Sequence, residues 1–592
     1  DFFKKYPVVD YYVELEGELA FVDLVKKLSE YNFNTSLLKK NNEKITNTCY
    51  VYQDYLIKGS VSRINDVNIV PSPYLTGAMD QFFAHPIIPI IETTRGCPFT
   101  CAFCADGQES KNIIHRYDPE RTKEELDYIA KRVKNIDELM MADLNFGMYK
   151  QDLVTAKMIE KSRQTYGYPK ILNAAGGKNL PERVMEVATT VSGWTLGAAI
   201  QSTDKDVLKA IQRANISSDA YAKLINFGNK DDSTKTFTDI ILGLPEDSKE
   251  KHFETIRFGI DNDVNTVRMQ QAMMLVGTKM ASKEDRKKYG LKTKWRTTPG
   301  CVGFYKIIDK KYPVAELDEI VVSSKTLSHE DYLNCRVMNL IVETFYNNAI
   351  FYEIFALIKS LGIPRIDLLI YIKDHTELYT SAIKEIINDF ISETTEDLYD
   401  TDKEAHKKVL SPEMIDKYIN QELGFNELLS SRTRLHNNHE DLTELLFTAT
   451  KKLIKKNYLL KDNVEKYLIE LKRFIHIQKK DQLEVSYETL ESNLETIRKA
   501  EFIFDFKTIS ENKFQVNSET LKKLDVPIRF DFYYNKEQKK YISKQVKFYS
   551  KNVEGMGRMF YESDARIFSR SFFNSSEDKK VIELKQNSNL IV

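Results

Sequence analysis

Between residues 86 and 280 the chain alternates two hydrophobic spacings. Short apolar runs stand at Ile87–Glu92, Leu139–Phe146, Ile171–Ala175, Thr195–Gln201, Thr238–Leu242 and Arg268–Val276. Between them, stretches such as "PERTKEELDYIAKRVKNI", "YKQDLVTAKMIEKSRQTYG", "LPERVMEVATT" and "SKEKHFETIRFGIDND" place apolar residues three and four positions apart. The first spacing predicts strands and the second amphipathic helices. Parallel strands need a crossover between them, so this alternation predicts an α/β fold with a parallel sheet and helices outside it. Six units fall short of the eight that close a barrel, and in either form chemistry gathers at the strands' C-terminal ends.

Outside this segment the patterns differ. Residues 1–30 read as a short strand, "VVDYYVEL", then an amphipathic helix, "ELAFVDLVKKLSE". Residues 31–85 are polar and broken and read as a linker with a small hairpin and, after Pro71, a short helix. Residues 281–400 read as a helical extension. Residues 401–592 read as an α+β accessory domain, its charged helices followed by β-rich "EFIFDFKTI", "PIRFDFYYN" and "KKYISKQVKFY". No internal repeat is visible, and the Lys/Glu runs read as solvated helix faces.

Composition narrows the function classes. Lys and Arg total 86 against 87 Asp and Glu, which removes any bulk attraction to nucleic acid or an acidic membrane. The most apolar stretch, Val337 to Ile363, is interrupted by Glu343, Asn347, Asn348 and Glu353, so it predicts a buried or amphipathic helix and no membrane span. A cytoplasmic location is expected. The chain starts at Asp1, and an N-terminal part is expected upstream.

Three of the six cysteines fall within "IETTRGCPFTCAFCADG": Cys97, Cys101 and Cys104. Three thiolates on one loop suit an iron–sulfur cubane, which usually takes four cysteines and with three leaves one iron open. The alternative is structural zinc, which favours four closed ligands. No second Cys-x2-Cys pair exists, and His85 and His115 sit at no usual spacing.

Cys-x3-Cys-x2-Cys, with Phe103 before the last cysteine, resembles the signature of radical S-adenosylmethionine (radical SAM) enzymes. The surrounding "ETTRGCPFTCAFC" is similar to the form in members that carry an N-terminal cobalamin-binding domain, and the resemblance covers Pro71 to Thr278. It implies a partial (β/α)6 barrel over residues 86–280, a [4Fe-4S] cluster on Cys97, Cys101 and Cys104, and S-adenosylmethionine beside it, with Phe103 among its neighbours. It implies that Gln201, with Ser202, meets the ribose and that Arg213 meets the cofactor's carboxylate. Asp239 matches a ribose-binding acid, and Gly243-Leu244-Pro245, with Gly243 and Pro245 at its ends, matches the turn that approaches the adenine. Many members hold the cofactor's amine with a Gly-Gly-Glu-like segment. Here "MADLNFGMYK" stands instead, and Asp143 or Asn145 is the expected acceptor.

Tyr6 to Leu28 resembles the last strand and helix of a Rossmann-like cobalamin-binding domain, with Leu15 where a glycine is familiar. Residues 1–30 are therefore expected to be its C-terminal remnant. Cys301, in "TTPGCVGF", is a candidate catalytic residue facing the cavity; Cys49 and Cys335 read as incidental thiols.

The resemblance implies reductive cleavage of S-adenosylmethionine to a 5′-deoxyadenosyl radical that abstracts hydrogen from a small-molecule or peptidic substrate. A reductant such as flavodoxin or ferredoxin would supply the electron. Cobalamin-dependent methyl transfer is one subtype, and rearrangement or oxidation without cobalamin another. Methylthio transfer usually needs three further clustered cysteines that this chain does not show. From another class, the chain could be a non-catalytic iron–sulfur binding protein.

Overall fold

A computed structural model describes residues 2–575 except 135, 195, 230–235, 421, 425, 484–489, 491, 550–552 and 564. The chain divides into two compact units, Asp1–Thr195 and Leu196–Val592.

In the first unit β1 (Tyr12–Val13) pairs antiparallel with β2 (Thr48–Tyr52), which turns back into β3 (Tyr55–Lys58). Gln53 and Asp54 make the two-residue turn with φ of 47° and 63°, the left-handed pair that matches the twist of a tight hairpin. The helix Gly17–Glu30 covers this sheet, and Leu24, Leu38, Ile45 and Tyr50 form a small core.

β4 (Ile90–Ile91), β7 (Glu138–Phe146) and β8 (Ile171–Gly176) then form a parallel sheet in that order. Its crossovers are the helices Pro119–Ala130 and Asp152–Tyr166, with Pro181–Thr190 following β8. Each buries one stripe, including Leu126 and Ile129, Ala156 and Ile159, Val184 and Val187. Two short strands, β5 (Thr94–Arg95) and β6 (His115–Arg116), pair antiparallel and close the base of the cysteine-bearing loop.

In the second unit β9 (Leu196–Gly197), β10 (Thr236–Leu242) and β11 (Thr266–Gln271) form another parallel sheet, in the order β11-β10-β9. A Cβ on Gly197 would lie 2.1 Å from the Phe237 ring, so the close β9–β10 approach needs glycine there. The six expected strands are thus present in chain order and parallel, three in each unit.

Two readings are corrected. The region read as a helical extension opens with a long antiparallel hairpin, β12 (Lys292–Ile307) and β13 (Lys310–Ser323). Its outer part carries charged and exposed positions around Ile307 and Ile308, so the apolar runs that mark a strand are diluted there. Helices follow from His329–Phe345 through Asp462–Leu483. "KKYISKQVKFY" is not a strand but part of the helix Lys536–Phe548. Asn535 and Gln538 form a capping box at its start, and Ile542 and Val546 bury the four-residue repeat of a helix. β15 (Ile528–Tyr533) matches "PIRFDFYYN", whereas "EFIFDFKTI" overlaps β14 (Arg498–Phe502) only at Glu501 and Phe502 and then enters the helix Phe506–Glu511; the third strand of that sheet is β16 (Ser571–Asn574). Phe474, Phe502, Phe506, Phe532 and Phe572 pack together at its centre, Phe474 stacked on Phe506 and the other pairs edge to face, with ring centroids 4.3 to 6.2 Å apart. Among the described residues, no helix is long and apolar enough to cross a membrane.

Candidate functional site

The cysteine loop is held at its backbone before any side chain acts. Cys97 N donates to Lys111 O at 3.1 Å, and Cys104 N to Cys101 O at 3.1 Å. Glycine is needed on both sides. Gly96 has φ +108°, and a Cβ there would meet Ile113 O at 2.5 Å. A Cβ on Gly107 would meet Cys101 O at 2.2 Å. The backbone therefore folds back on itself tightly and leaves Cys97 and Cys104 part-exposed and Cys101 buried.

Charged groups brace this loop. Arg95 pairs with Glu92 and with Glu18 at 2.7 Å each and donates to Tyr117 at 2.9 Å. Arg63 pairs with Glu16 at 2.7 Å and donates to Ile113 O at 2.7 Å, the carbonyl against which Gly96 packs. The acidic residues at the start of helix Gly17–Glu30 thus act on the loop's backbone.

Asp143 and Asn145 lie at the C-terminal end of β7, as expected, and both meet protein groups there. The Asp143 carboxylate accepts from Thr93 N at 2.7 Å, Thr94 N at 3.1 Å and the Thr93 hydroxyl. It holds the chain just ahead of β5, and burial pushes its pKa up to about 6. Asn145 Nδ2 lies 3.4 Å from Cys97 Sγ and can donate to it. Sequence reasoning missed Lys178, whose Nζ lies 3.3 Å from Cys101 Sγ. The one available signal was "GGKN" directly after the third strand.

The donor chemistry fits a cubane better than a lone ion. Among the described residues, no three His, Cys, Asp or Glu side chains are gathered as one metal ion requires. Mononuclear zinc needs its ligands about 2.0–2.3 Å from one centre. A cubane gives each thiolate its own iron, and N–H donors to the sulfurs are a normal part of such sites.

In the second unit, Gln201 stands just beyond β9 with φ +60°, bridged to Ile240 of β10. Its Oε1 is buried and has no hydrogen-bond partner among the described residues. Such an orphaned acceptor is costly unless a ligand donor meets it. Asp239, on β10, is half-buried; burial raises its pKa, opposed by Arg268, Gln270 and Arg213. Arg213 donates to Asn215 Oδ1 at 2.9 Å and to Ala199 O. Asn215 in turn donates to Ile200 O and Ser202 O at 2.9 Å each. Arg213 and Ser202 therefore form part of the turn after β9. Gly243, at φ +86°, begins a buried turn that includes Pro245, and Asp247, another residue missed from the sequence, accepts from Gly243 N at 3.1 Å. Phe103 is half-buried within the cysteine loop. Cys301 lies inside β12, with Sγ donating to Pro299 O at 3.7 Å, and not at the end of a parallel strand. Cys49 and Cys335 are buried thiols.

A sequence profile described as the Radical SAM superfamily matches residues 91–259, which contain the three cysteines and run from the end of β4 into the helix Lys249–Asp261, short of β11. That segment is a radical SAM domain. Two relatives extend the likeness beyond the radical SAM domain. The 2-(S-pantetheinyl)-carbapenam-3-carboxylate methyltransferase of Streptantibioticus cattleyicolor is 29% identical over 355 residues, covering 57% of this chain and 49% of the relative. The cobalamin-dependent radical SAM methyltransferase TokK of Streptomyces tokunonensis is 29% identical over 312 residues, covering 50% and 43%. The chain thus spans about half the length of these relatives. Among solved structures, the cobalamin-dependent S-adenosylmethionine radical enzyme OxsB, with aqua-cobalamin and S-adenosylmethionine bound, aligns over 78% of this chain and 67% of its own. That likeness has 14% identity and a TM-score of 0.39.

Proposed function

We propose that this chain is the catalytic part of a radical SAM methyltransferase that depends on cobalamin. The observation that carries the reading is the loop 96–107, where three cysteines sit between two obligatory glycines inside the segment matched to the superfamily. The two methyltransferase relatives support the subtype.

In this reading Cys97, Cys101 and Cys104 would hold a [4Fe-4S] cluster, whose chemistry when bound would be one-electron reduction of S-adenosylmethionine. Gln201 offers its unmet Oε1 to a ribose hydroxyl, Asp239 accepts from the other hydroxyl, and the Gly243–Pro245 turn receives the adenine. Arg213 and Ser202 hold the turn that carries Gln201, and Phe103 shields the cysteines from water. Asn145 acts on Cys97, and Asp143 fixes the approach to the loop. Cobalamin would carry the methyl group to a small-molecule or peptidic substrate, and flavodoxin or ferredoxin would serve as reductant. A cytoplasmic location follows from that dependence on a cellular reductant.

Anaerobic reconstitution with iron and sulfide, then S-adenosylmethionine and dithionite, tests the reading. Wild type should bind about four irons and release 5′-deoxyadenosine; Cys101→Ala should do neither. Equal activity in the alanine variant would overturn it. S-adenosylhomocysteine that forms only when cobalamin is added marks methyl transfer, whereas 5′-deoxyadenosine alone marks rearrangement or oxidation.

A further inference from the structure

Lys178 brings a charged side chain against a candidate cluster sulfur, and its place is built by glycine. Gly177 N donates to Phe146 O at 2.9 Å, which fastens the segment after β8 to the end of β7. A Cβ on Gly177 would lie 2.5 Å from Met148 Cβ and 3.2 Å from Asn145 O, so only glycine permits that approach. The next residue, Lys178, then brings Nζ to 3.3 Å from Cys101 Sγ. On its other side Nζ lies 3.7 Å from the centroid of the Phe99 ring. Phe99 belongs to the same loop, two residues before Cys101. The ammonium thus sits between an aromatic face and a sulfur, gaining a cation–π contact and a charge-assisted N–H···S bond.

We propose that Lys178 is a positioning residue that sets the reduction potential of the cluster on Cys97, Cys101 and Cys104. The inference rests on the [4Fe-4S] reading above. A doubly charged cubane core with three thiolates carries one net negative charge, and reduction adds a second. A fixed cation beside one sulfur stabilises the more negative state, so it raises the potential and eases electron entry. Hydrogen bonds and charge at the sulfurs are known levers on such potentials. Asn145 offers Cys97 a neutral donor at 3.4 Å. Lys178 differs because it brings a full charge, and Phe99 keeps that charge partly out of water, where screening would weaken it.

The test compares Lys178→Met, which keeps the stem and removes the charge, with Lys178→Arg, which keeps the charge. Each is reconstituted anaerobically, iron and sulfide are measured, and the midpoint potential is read by electron paramagnetic resonance during a redox titration. Lys178→Met should load iron as wild type does, with its reduction equilibrium disfavoured about tenfold, or about 59 mV for a one-electron couple. Lys178→Arg should recover most of that shift. A loaded Lys178→Met at the wild-type potential overturns the inference. If Lys178→Met fails to load, Lys178→Arg decides: a loaded arginine variant near the wild-type potential supports it, and failure of both reduces Lys178 to a packing residue. Wild type that binds no iron overturns the cluster reading instead.

Discussion

Two regions treat buried polarity in opposite ways, the cysteine loop of the first unit and the helix Asp462–Leu483 of the second. In the first, polar groups around the cysteine loop hold backbone or point at sulfur, and the thiols keep capacity for a ligand. In the second, charges that include no predicted site residue satisfy one another. Lys479 donates to Glu353 Oε2 at 2.8 Å and to Ile350 O at 2.7 Å, with the two side chains 2% and 0% exposed. Arg570 and Asp481, both fully buried, pair at 2.8 Å, and Tyr534 and Arg498 complete the group. These pairs border a cavity of about 430 Å³ that none of the sequence-predicted residues lines. Burial of charge is therefore a poor marker of a site in this chain. What separates the regions is whether the polar atoms already have protein partners.

The largest effect that would sharpen this contrast is loss of the cluster. Cys104→Ala should bring iron content and 5′-deoxyadenosine formation to background while urea unfolding of the second unit stays unchanged. A comparable loss of global stability would mean the loop is a structural core and the contrast fails. Next, Lys479→Met leaves Glu353 charged, buried and unpaired, which should cost about 3–5 kcal/mol in urea unfolding. The double variant Lys479→Met/Glu353→Leu should recover much of it, because removing both charges is far cheaper than stranding one. If the single variant is nearly neutral, the pair is not the closed unit described. Gly107→Ala should cost about 1–3 kcal/mol, as overpacking commonly does, and lower iron retention as the added methyl displaces Cys101 O. Unchanged retention would show that the loop tolerates a shift its backbone contacts forbid.

The same distinction explains how much was legible in the sequence. The cysteine loop was legible because its spacing is local, and the six strands because each is a short apolar run between helices. Asp143 and Asn145 were placed at the right strand end, but their partners were not foreseen. Asp143 meets Thr93, 50 residues away, and Lys178 meets Cys101, 77 residues away, and no local pattern encodes such pairs. Glu18 opens the helix read from the sequence and Glu16 stands just before it, yet their partners Arg95 and Arg63 come from later elements. In the second unit the β12–β13 hairpin escaped notice because charged tips dilute its alternation. The strand predicted at 539–549 failed because β-rich composition outweighed the Asn535–Gln538 cap, a positional signal. The closed ion pairs had no signature at all, since Lys479 and Asp481 sit in an ordinary-looking charged helix.

The smallest effects concern acid, where the units should move in opposite directions. His252, in the second unit, is buried with Nε2 3.0 Å from Asn339 Oδ1, and burial lowers its pKa to about 4. The native state keeps it neutral while the unfolded chain protonates it below about 6.5. Its contribution is complete above that pH and is lost as pH falls toward 4. Asp143, in the first unit, has a pKa raised to about 6, so the native state takes up a proton before the unfolded chain does near 3.9. Its contribution grows as pH falls from 6 toward 4. Between pH 7.5 and 5.5 each amounts to about 1 kcal/mol, of opposite sign. Hydrogen exchange of the two units at those pH values should therefore show faster opening around His252 and slower opening around Thr93 and Thr94. His252→Gln, which can still donate to Asn339, should remove the first change and Asp143→Asn the second. If both regions opened faster in acid and Asp143→Asn altered nothing, the carboxylate would not be the buried brace that its three Thr93 and Thr94 contacts describe.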